Sequence, residues 1–399
     1  MDSGSCEPLV DAGLVGEEPS TGRRWIADPV LAARLSPVRI HHLSDVHVGP
    51  KSAQSIDAKE AGLLSAAVDP GNVRESYLSH MEGLRKSGKA PHVLIISGDI
   101  TEWATKEQCQ EARQWLDRIP PLLEPHVLLG DDVPRVLLVG GNHDVDWSQT
   151  RPGGERTRHE NFAEFFKGYA HPHLEKAPED RELVAIDWPD LGISVLLLGT
   201  SELGGEIEKD RERYTLLQEL AKLPSTPDKQ QREKAEKLAT DAARIDPGLV
   251  HAKDLHRVST HAWSERLPVR IAVLHHPPSP LPSTEVARYS GLLNAGAVKQ
   301  VLMEKNFCLA LCGHVHAGWF AEERWIKHSG GSTLRIAAAP SLGSREIPEN
   351  NGFNLIEVFR DRDSKGNAEY QVRVRRYVRQ GEHGWEKHAD QLGPFSPGF

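Results

Sequence analysis

The chain is predicted to be an α/β protein. Three features point there: short apolar runs alternate with segments of helical periodicity, most runs end in a cluster of Asp, Asn or His, and the C-terminal part turns to strands without intervening helices.

The first run, Val38-Arg39-Ile40-His41-His42-Leu43, is short and apolar enough for a buried strand, as are His92–Ser97 and Arg135–Val139. Between the first two, Val73, Tyr77, Met81 and Leu84 recur at helical spacing, so a helix is expected over 72–87, stopped by Gly88. Between the second and third, Thr105-Lys106-Glu107-Gln108 reads as a capping box, followed by the stripe Cys109, Ala112, Leu116 and Ile119. Strand, helix, strand, helix, strand is the pattern of an α/β sheet.

A short aromatic helix follows (Phe162, Phe165, Phe166, Tyr169), then strands at Ile193–Leu198, Val269–Leu274 and Phe307–Cys312, with a helix at 249–264. Leu334–Ala338, Phe353–Phe359 and Tyr370–Val374 read as strands joined by turns and predict an antiparallel second sheet. The expected organisation is an N-terminal extension over 1–36, one elaborated domain over 37–380, and a C-terminal tail over 381–399. Within the domain, residues 202–248 are dense in Glu, Lys, Arg and Gln. They read as a solvated helical insertion, with a cap over the active site or an oligomer contact as the competing readings.

The 399 residues carry a formal charge of −9, which argues against a broad surface for a nucleic-acid backbone or an anionic membrane. Bound metals would invert that charge locally, so an anionic small substrate stays open. Cys6, Cys109, Cys308 and Cys312 are too few and too scattered for a disulfide framework. The last three sit in apolar surroundings, which predicts buried thiols and a reducing compartment. The acidic N-terminus lacks the features of a secretory signal, and no apolar run approaches the ~20 residues of a membrane span. A cytoplasmic protein is expected.

The chemistry lies in the clusters that close the runs: Asp45 with His47, Asp99, Asn142 with His143, His275, and His314 with His316. They fall at equivalent points of five strands, at the carboxyl ends where α/β sheets bind ligands. Asp45 and His47 are two apart, as are His314 and His316. On an extended backbone each pair would project to one side and chelate one centre. His171-Pro172-His173 has the same spacing but follows no strand, and reads as a surface loop. Carboxylate, amide and imidazole donors without thiolate suit Mn, Fe, Zn or Co better than structural zinc or calcium. The donors outnumber the needs of one ion, so two metals are expected, roughly 3.5–4 Å apart and sharing a carboxylate.

Asp45-Val46-His47, Gly98-Asp99, Gly141-Asn142-His143-Asp144, His275-His276-Pro277 and Gly313-His314-Val315-His316 together resemble, in order and with no member missing, the calcineurin-like metallophosphoesterase superfamily, over about residues 38 to 360. The resemblance implies a four-layer fold in which two mixed β-sheets pack face to face between helices. It implies that Asp45, His47 and His316 hold one metal, that Asn142, His275 and His314 hold the other, and that Asp99 bridges both. By the same resemblance His143 contacts a phosphate oxygen and acts as general acid, Asp144 orients it, and a hydroxide bridging the metals attacks phosphorus.

Gly98-Asp99-Ile100-Thr101, His275-His276-Pro277-Pro278, and Ala339-Pro340-Ser341 followed by Asn351-Gly352-Phe353 are similar to bacterial class III cyclic-nucleotide phosphodiesterases and glycerophosphodiesterase-like enzymes. The charged segment 202–248 departs from that branch. The expectation is a phosphodiesterase for a small nucleotide-like or glycerol-linked diester, with two divalent transition-metal ions (Mn, Fe or Zn) and with homo-oligomerisation left open. A phosphomonoesterase is the chief alternative; a nuclease or a non-catalytic scaffold ranks lower. His41 and His42 read as satisfied core histidines and His276 as a support for the ligands. Trp147 and Arg345 are balanced between substrate contact and a purely local role.

Overall fold

The computed structural model describes residues 15–17, 24–26, 36–49, 73–126, 128–130, 132–146, 156–204, 219, 222, 229–231, 248–280, 291–327, 330–344, 350–362, 368–380 and 384–397. The helices expected in 202–248 and most of the extension 1–36 lie outside these residues. Two short strands, β1 (Val15–Glu17) and β2 (Arg24–Ile26), pair antiparallel in a separate two-stranded sheet.

The strand–helix–strand–helix–strand unit is present: β3 (Val38–Leu43), α1 (Val73–Lys86), β4 (Val93–Ser97), α2 (Lys106–Leu116) and β5 (Val136–Val139), with the three strands parallel. Thr105 caps α2 by accepting from Gln108 N. Only half of the capping box forms, because the Gln108 side chain accepts from Trp103 N instead. Next come α3 (Glu160–Phe165), β6 (Val184–Trp188), β7 (Ile193–Leu197), α4 (Ala252–Thr260), β8 (Val269–Val273), α5 (Ala295–Glu304) and β9 (Leu309–Cys312). The chain finishes with β10 (Trp319–Lys327), β11 (Gly330–Ala338), β12 (Gly352–Arg362), β13 (Ala368–Arg379) and β14 (Trp385–Phe395).

These strands build two mixed six-stranded sheets, ordered β14-β13-β12-β3-β4-β5 and β10-β11-β9-β8-β7-β6. The central strands are buried on both faces, which is why they are continuously apolar rather than alternating. Ile40, Ile95, Leu137, Val195, Ile271 and Leu309 meet between the sheets, with Ile356 and Val374 beside them. On the outer face of the first sheet, Leu94, Ile96 and Leu138 pack under Tyr77, Met81, Ala112 and Phe162 of the helices. On that of the second, Leu196, Ala272 and Ala310 pack under Val258, Val298 and Leu302. The result is a four-layer sandwich with helices outside both sheets.

The sequence expectation of a separate antiparallel sheet in the C-terminal strands is corrected. β11 enters the second sheet parallel to β9, while β12 extends the first sheet antiparallel to β3. Residues 385–395, expected as part of a tail, form β14, the edge strand paired with β13. β6, β10 and β14 lie at sheet edges, and their mixed polar and apolar residues hide them from a search for apolar runs. No helix among the described residues is long and apolar enough to cross a membrane.

Candidate metal centre

The parallel strands β3, β4 and β5 of one sheet and β8 and β9 of the other end at the same rim, and the five polar clusters meet there. The backbone that carries them is not extended. Asp45, His47, Asp99, His314 and His316 have φ of 54°, 48°, 51°, 71° and 56°, so the expected same-side projection from a strand is corrected to left-handed turns. Such conformations are costly for residues with a Cβ and persist where surroundings hold them. Here Asp45 N donates to Gly98 O and His47 N to Asp99 O, both at 2.9 Å, lacing the end of β3 to that of β4. His314 N donates to Asp45 Oδ2 at 3.1 Å, fastening one sheet to the other. Glycine is required where these turns crowd: a Cβ on Gly141 would collide with the Asp99 carboxylate and a Cβ on Gly313 with the Ser44 side chain.

Two groups of donor atoms result. Asp45, His47, Asp99 and His316 each present a ligand atom within 4.8 Å of the others. His316 Nε2 lies 3.3 Å from Asp45 Oδ1 and 3.0 Å from His47 Nε2, and His47 Nε2 lies 4.0 Å from Asp99 Oδ2. Beside them, Asn142 Oδ1 lies 2.9 Å from His275 Nε2 and 3.1 Å from His314 Nδ1, with those two nitrogens 3.2 Å apart. Asp99 Oδ2 stands 3.3 Å from His275 Nε2, so this carboxylate faces both groups.

These distances suit cations. Donors about 2.1 Å from an ion stand ~3.0 Å apart at right angles and ~3.4 Å apart at tetrahedral angles. Asp45 Oδ1 and Asp99 Oδ2 are buried and accept no well-directed hydrogen bond, although buried carboxylate oxygens are normally satisfied. The His275 ring donates Nδ1–H to Ser97 O at 2.8 Å, since a carbonyl can only accept, which turns the Nε2 lone pair inward.

The electrostatics agree. Burial opposes ionisation of Asp45, yet the close approach of His316, followed by the charge of His275, holds its carboxyl at about 2. Asp99 is likewise buried, and His275, His143 and His47 keep it well below the usual range. Conversely, burial opposes a charge on His275, but Asp99 and Asp45 raise it to about 9. Burial, then the charge of His275, pushes His314 down to about 3. The paired carboxylates thus demand a compensating positive charge at this point.

His143 lies at the rim. Its backbone N donates to Asp99 Oδ1 at 2.8 Å and its ring donates Nδ1–H to Glu102 O at 2.8 Å, so Nδ1 is committed and Nε2 is the ring nitrogen left for another partner. The carboxylate of Asp144, expected to orient this ring, bonds instead to loop backbone and to Thr101 Oγ1. It accepts from Gly141 N, Ile100 N and Thr101 N at 3.0, 3.0 and 2.8 Å, tying the Asn142–His143 turn to the Asp99 loop. Burial and the Asp99 charge raise the Asp144 carboxyl.

Two neighbours escaped the sequence reading. Glu102 holds Oε2 3.1 Å from His47 Nδ1, so one residue touches a metal-competent histidine through its carboxylate and His143 through its carbonyl. Trp103 sets its ring 5.9 Å from that of His143. Both stand within four residues of Asp99, and their proximity to it was the available signal.

His276 is fully buried, accepts or donates at Nδ1 with Thr200 Oγ1 at 3.0 Å, and joins His275 and His314 in a ligand-competent group. His41 and His42 are core histidines, paired with Tyr77 and Ser97 at 2.9 and 2.8 Å. His171 is corrected from a surface loop: it is buried edge-on against Phe162. Cys109, Cys308 and Cys312 are buried free thiols. Trp147 and Arg345 lie outside the described residues.

Among solved structures, the chain matches a purple acid phosphatase from yellow lupin (Lupinus luteus) seeds at 11% identity and a TM-score of 0.45, covering 90% of this chain and 54% of that one. It also matches the sulfate thiohydrolase SoxB of Thermus thermophilus at 10% identity and a TM-score of 0.38, covering 88% and 58%. The chain therefore spans a little over half the length of these structures. No curated protein matches its sequence. The calcineurin-like phosphoesterase family matches residues 38–318, more than half of the chain and all five motif clusters. The chain belongs to the calcineurin-like phosphoesterase family.

Proposed function

We propose that this metal-dependent phosphoesterase is a binuclear phosphodiesterase acting on a small nucleotide-like or glycerol-linked diester. The observation that carries the preference for a diester is the nature of the charge around the carboxylates. Among the described ion pairs, the partners of the Asp45 and Asp99 carboxylates are all histidines, His47, His275 and His316, with no lysine or arginine. A monoester dianion calls for additional fixed cations, whereas a diester needs a proton for its leaving alcohol, which His143 is placed to supply.

In this reading Asp45, His47 and His316 hold one ion, Asn142, His275 and His314 hold the other, and Asp99 serves both; Mn, Fe and Zn suit the donor set. Bound there, the ions would supply Lewis acidity, activating a water and neutralising phosphoryl oxygens. The chain's own residues do the rest. Asp99 Oδ1 fixes the backbone of His143, and the Glu102 carbonyl keeps Nδ1 protonated, so the imidazolium form donates from Nε2 to the departing oxygen. Asp144 keeps the two loops in register.

The branch we favour is that of the bacterial class III cyclic-nucleotide and glycerophosphodiesterase-like enzymes, on the motif details of the sequence. A cytoplasmic setting is part of the same proposal, supported by the unpaired buried thiols. So is a single catalytic domain from residue 37, here extended to include β14.

The test is metal reconstitution followed by parallel assays on bis(p-nitrophenyl) phosphate and p-nitrophenyl phosphate, with metal content measured alongside. Cleavage of the diester with two ions bound is expected. Cleavage of the monoester alone would hand the site to the phosphomonoesterase alternative, and a chain that retains no metal would remove the hydrolytic reading.

A further inference from the structure

We propose that Ser341 is the positioning residue of one metal subsite: its hydroxyl and backbone N–H hold Asp45 and His316, which come from different sheets, at the spacing that one cation needs. The proposal rests on the two-metal reading above, not on the choice of substrate, and goes beyond it by making the two ions respond unequally to the loss of one side chain.

Asp45 follows β3 of the first sheet and His316 follows β9 of the second, so no strand ladder fixes one against the other. Both have left-handed backbone, with φ of 54° and 56°, which persists only where the surroundings hold it. The chain crosses from β11 of the second sheet to β12 of the first over residues 339–351, and Ser341 lies fully buried on that crossing.

From there Ser341 reaches both turns. Its N donates to His316 O at 3.3 Å and its Oγ to Asp45 O at 2.8 Å. The hydroxyl has a fixed direction: Oγ accepts from Ser344 N at 2.9 Å and its proton goes to the Asp45 carbonyl, which can only accept. Gly343 N donates to the same carbonyl at 3.0 Å, and Leu342 N donates to Ser44 O at 2.9 Å. A Cβ on Gly343 would collide with Val46 O, so glycine is what lets the crossing lie this close to the Asp45 turn. Behind it, Asn351 Nδ2 and Gly352 N donate to Ser341 O at 3.3 and 3.1 Å, bracing Ser341 against the start of β12.

The consequence falls on one donor group. Removing the hydroxyl takes one donor from the Asp45 carbonyl and loosens the turn that sets Asp45 Oδ1 3.3 Å from His316 Nε2. The other group is supported elsewhere: His275 Nδ1 donates to Ser97 O, and the turn that carries Asn142 is tied through Gly141 N to Asp144. Hydrogen bonds behind metal ligands typically contribute about 10–100-fold in metal affinity.

The experiment titrates metal-free protein with Mn²⁺ at chelator-buffered concentrations and counts bound ions per chain in wild type, Ser341→Ala, Ser341→Thr and Val258→Ala. Val258 packs on the outer face of the second sheet and controls for general destabilisation, which thermal unfolding of the metal-free proteins records. Wild type is expected to take up two ions. Ser341→Ala should bind one of them about tenfold or more weaker and the other within about threefold of wild type. Ser341→Thr, which keeps the hydroxyl, should stay within about threefold for both, and Val258→Ala should lower Tm without a selective loss. In His47→Ala, which lacks a donor of the affected group, one ion should remain, and adding Ser341→Ala should change its affinity by less than about threefold. The role of Ser341 is overturned by unchanged binding in Ser341→Ala, by equal weakening of both ions, by Ser341→Thr as weak as Ser341→Ala, or by the same selective loss in Val258→Ala. It is also overturned if His47→Ala retains no ion, or if its remaining ion weakens with Ser341→Ala. Any of these in a wild type that holds two ions sinks this inference alone, whereas a wild type that takes up no metal sinks the hydrolytic reading with it.

Discussion

Asp99 and His143 are joined through a single carboxylate oxygen: Asp99 Oδ1 accepts the backbone N–H of His143 at 2.8 Å, while Oδ2 of the same group faces His275 Nε2 at 3.3 Å. The residue proposed to serve both metals therefore also sets where the proposed acid stands. Asp99→Asn preserves shape but removes the shared negative charge. Metal content is expected to fall from two ions per chain to one or fewer, and activity by about 10²-fold or more. Elemental analysis beside the assay checks both, and full activity with two ions would falsify the bridging role.

Glu102 touches His47 Nδ1 at 3.1 Å and lies next in line to the Asp99 loop. Carboxylates behind metal-binding histidines typically contribute about 10–100-fold in metal affinity. Glu102→Ala is expected to weaken metal binding by that order in a chelator competition, with Glu102→Gln recovering much of it. Identical affinities in wild type and Glu102→Ala would show that the contact is incidental.

His143 offers a sharper comparison. His143→Ala should lower kcat by about 10²–10⁴-fold on an alkyl diester, whose alcohol must be protonated. On a p-nitrophenyl diester the loss should be much smaller, because that leaving group departs as the anion. Metal content should be unchanged. Equal losses on both substrates would place the role of His143 elsewhere, in binding the phosphate oxygens.

His92 predicts acid sensitivity away from the centre. Its Nδ1 accepts from Arg39 N at 2.9 Å, and burial, followed by the Arg39 charge, lowers it to about 3. The folded pKa is below the unfolded one. Above pH 6.5 both states are neutral and nothing changes; as pH falls from 6.5 toward 3, the unfolded chain takes up a proton that the native state refuses. Stability should drop by about 1.4 kcal/mol per pH unit from this group. Urea unfolding of metal-free protein between pH 6 and 4 should show a slope shallower by that amount in His92→Gln, and an unchanged slope would count against the assignment.

The legible part of this protein was local. Runs such as Val93–Ser97 and Val269–Val273 announce themselves because both faces are buried, and the helix α2 is signalled by Thr105 and its apolar stripe. Edge strands such as β10 and β14 were missed because one side of each meets solvent and polar side chains interrupt the pattern.

By itself the sequence determined the α/β class, the core strands and the polar clusters, from Asp45 to His316, that the fold gathers at one rim, since each cluster ends a run readable within a few residues. Only the tertiary structure decided which sheet β11 and β12 join, because strand pairing depends on partners distant in sequence. It also decided that Asp45, His47, Asp99, His314 and His316 take left-handed turns, which are held by hydrogen bonds across two sheets rather than by local propensity. And it turned Glu102 and Trp103 toward His143. Nothing in their own neighbourhood of the chain carries that information, because His143 is some forty residues away and meets them only once β4 and β5 lie side by side.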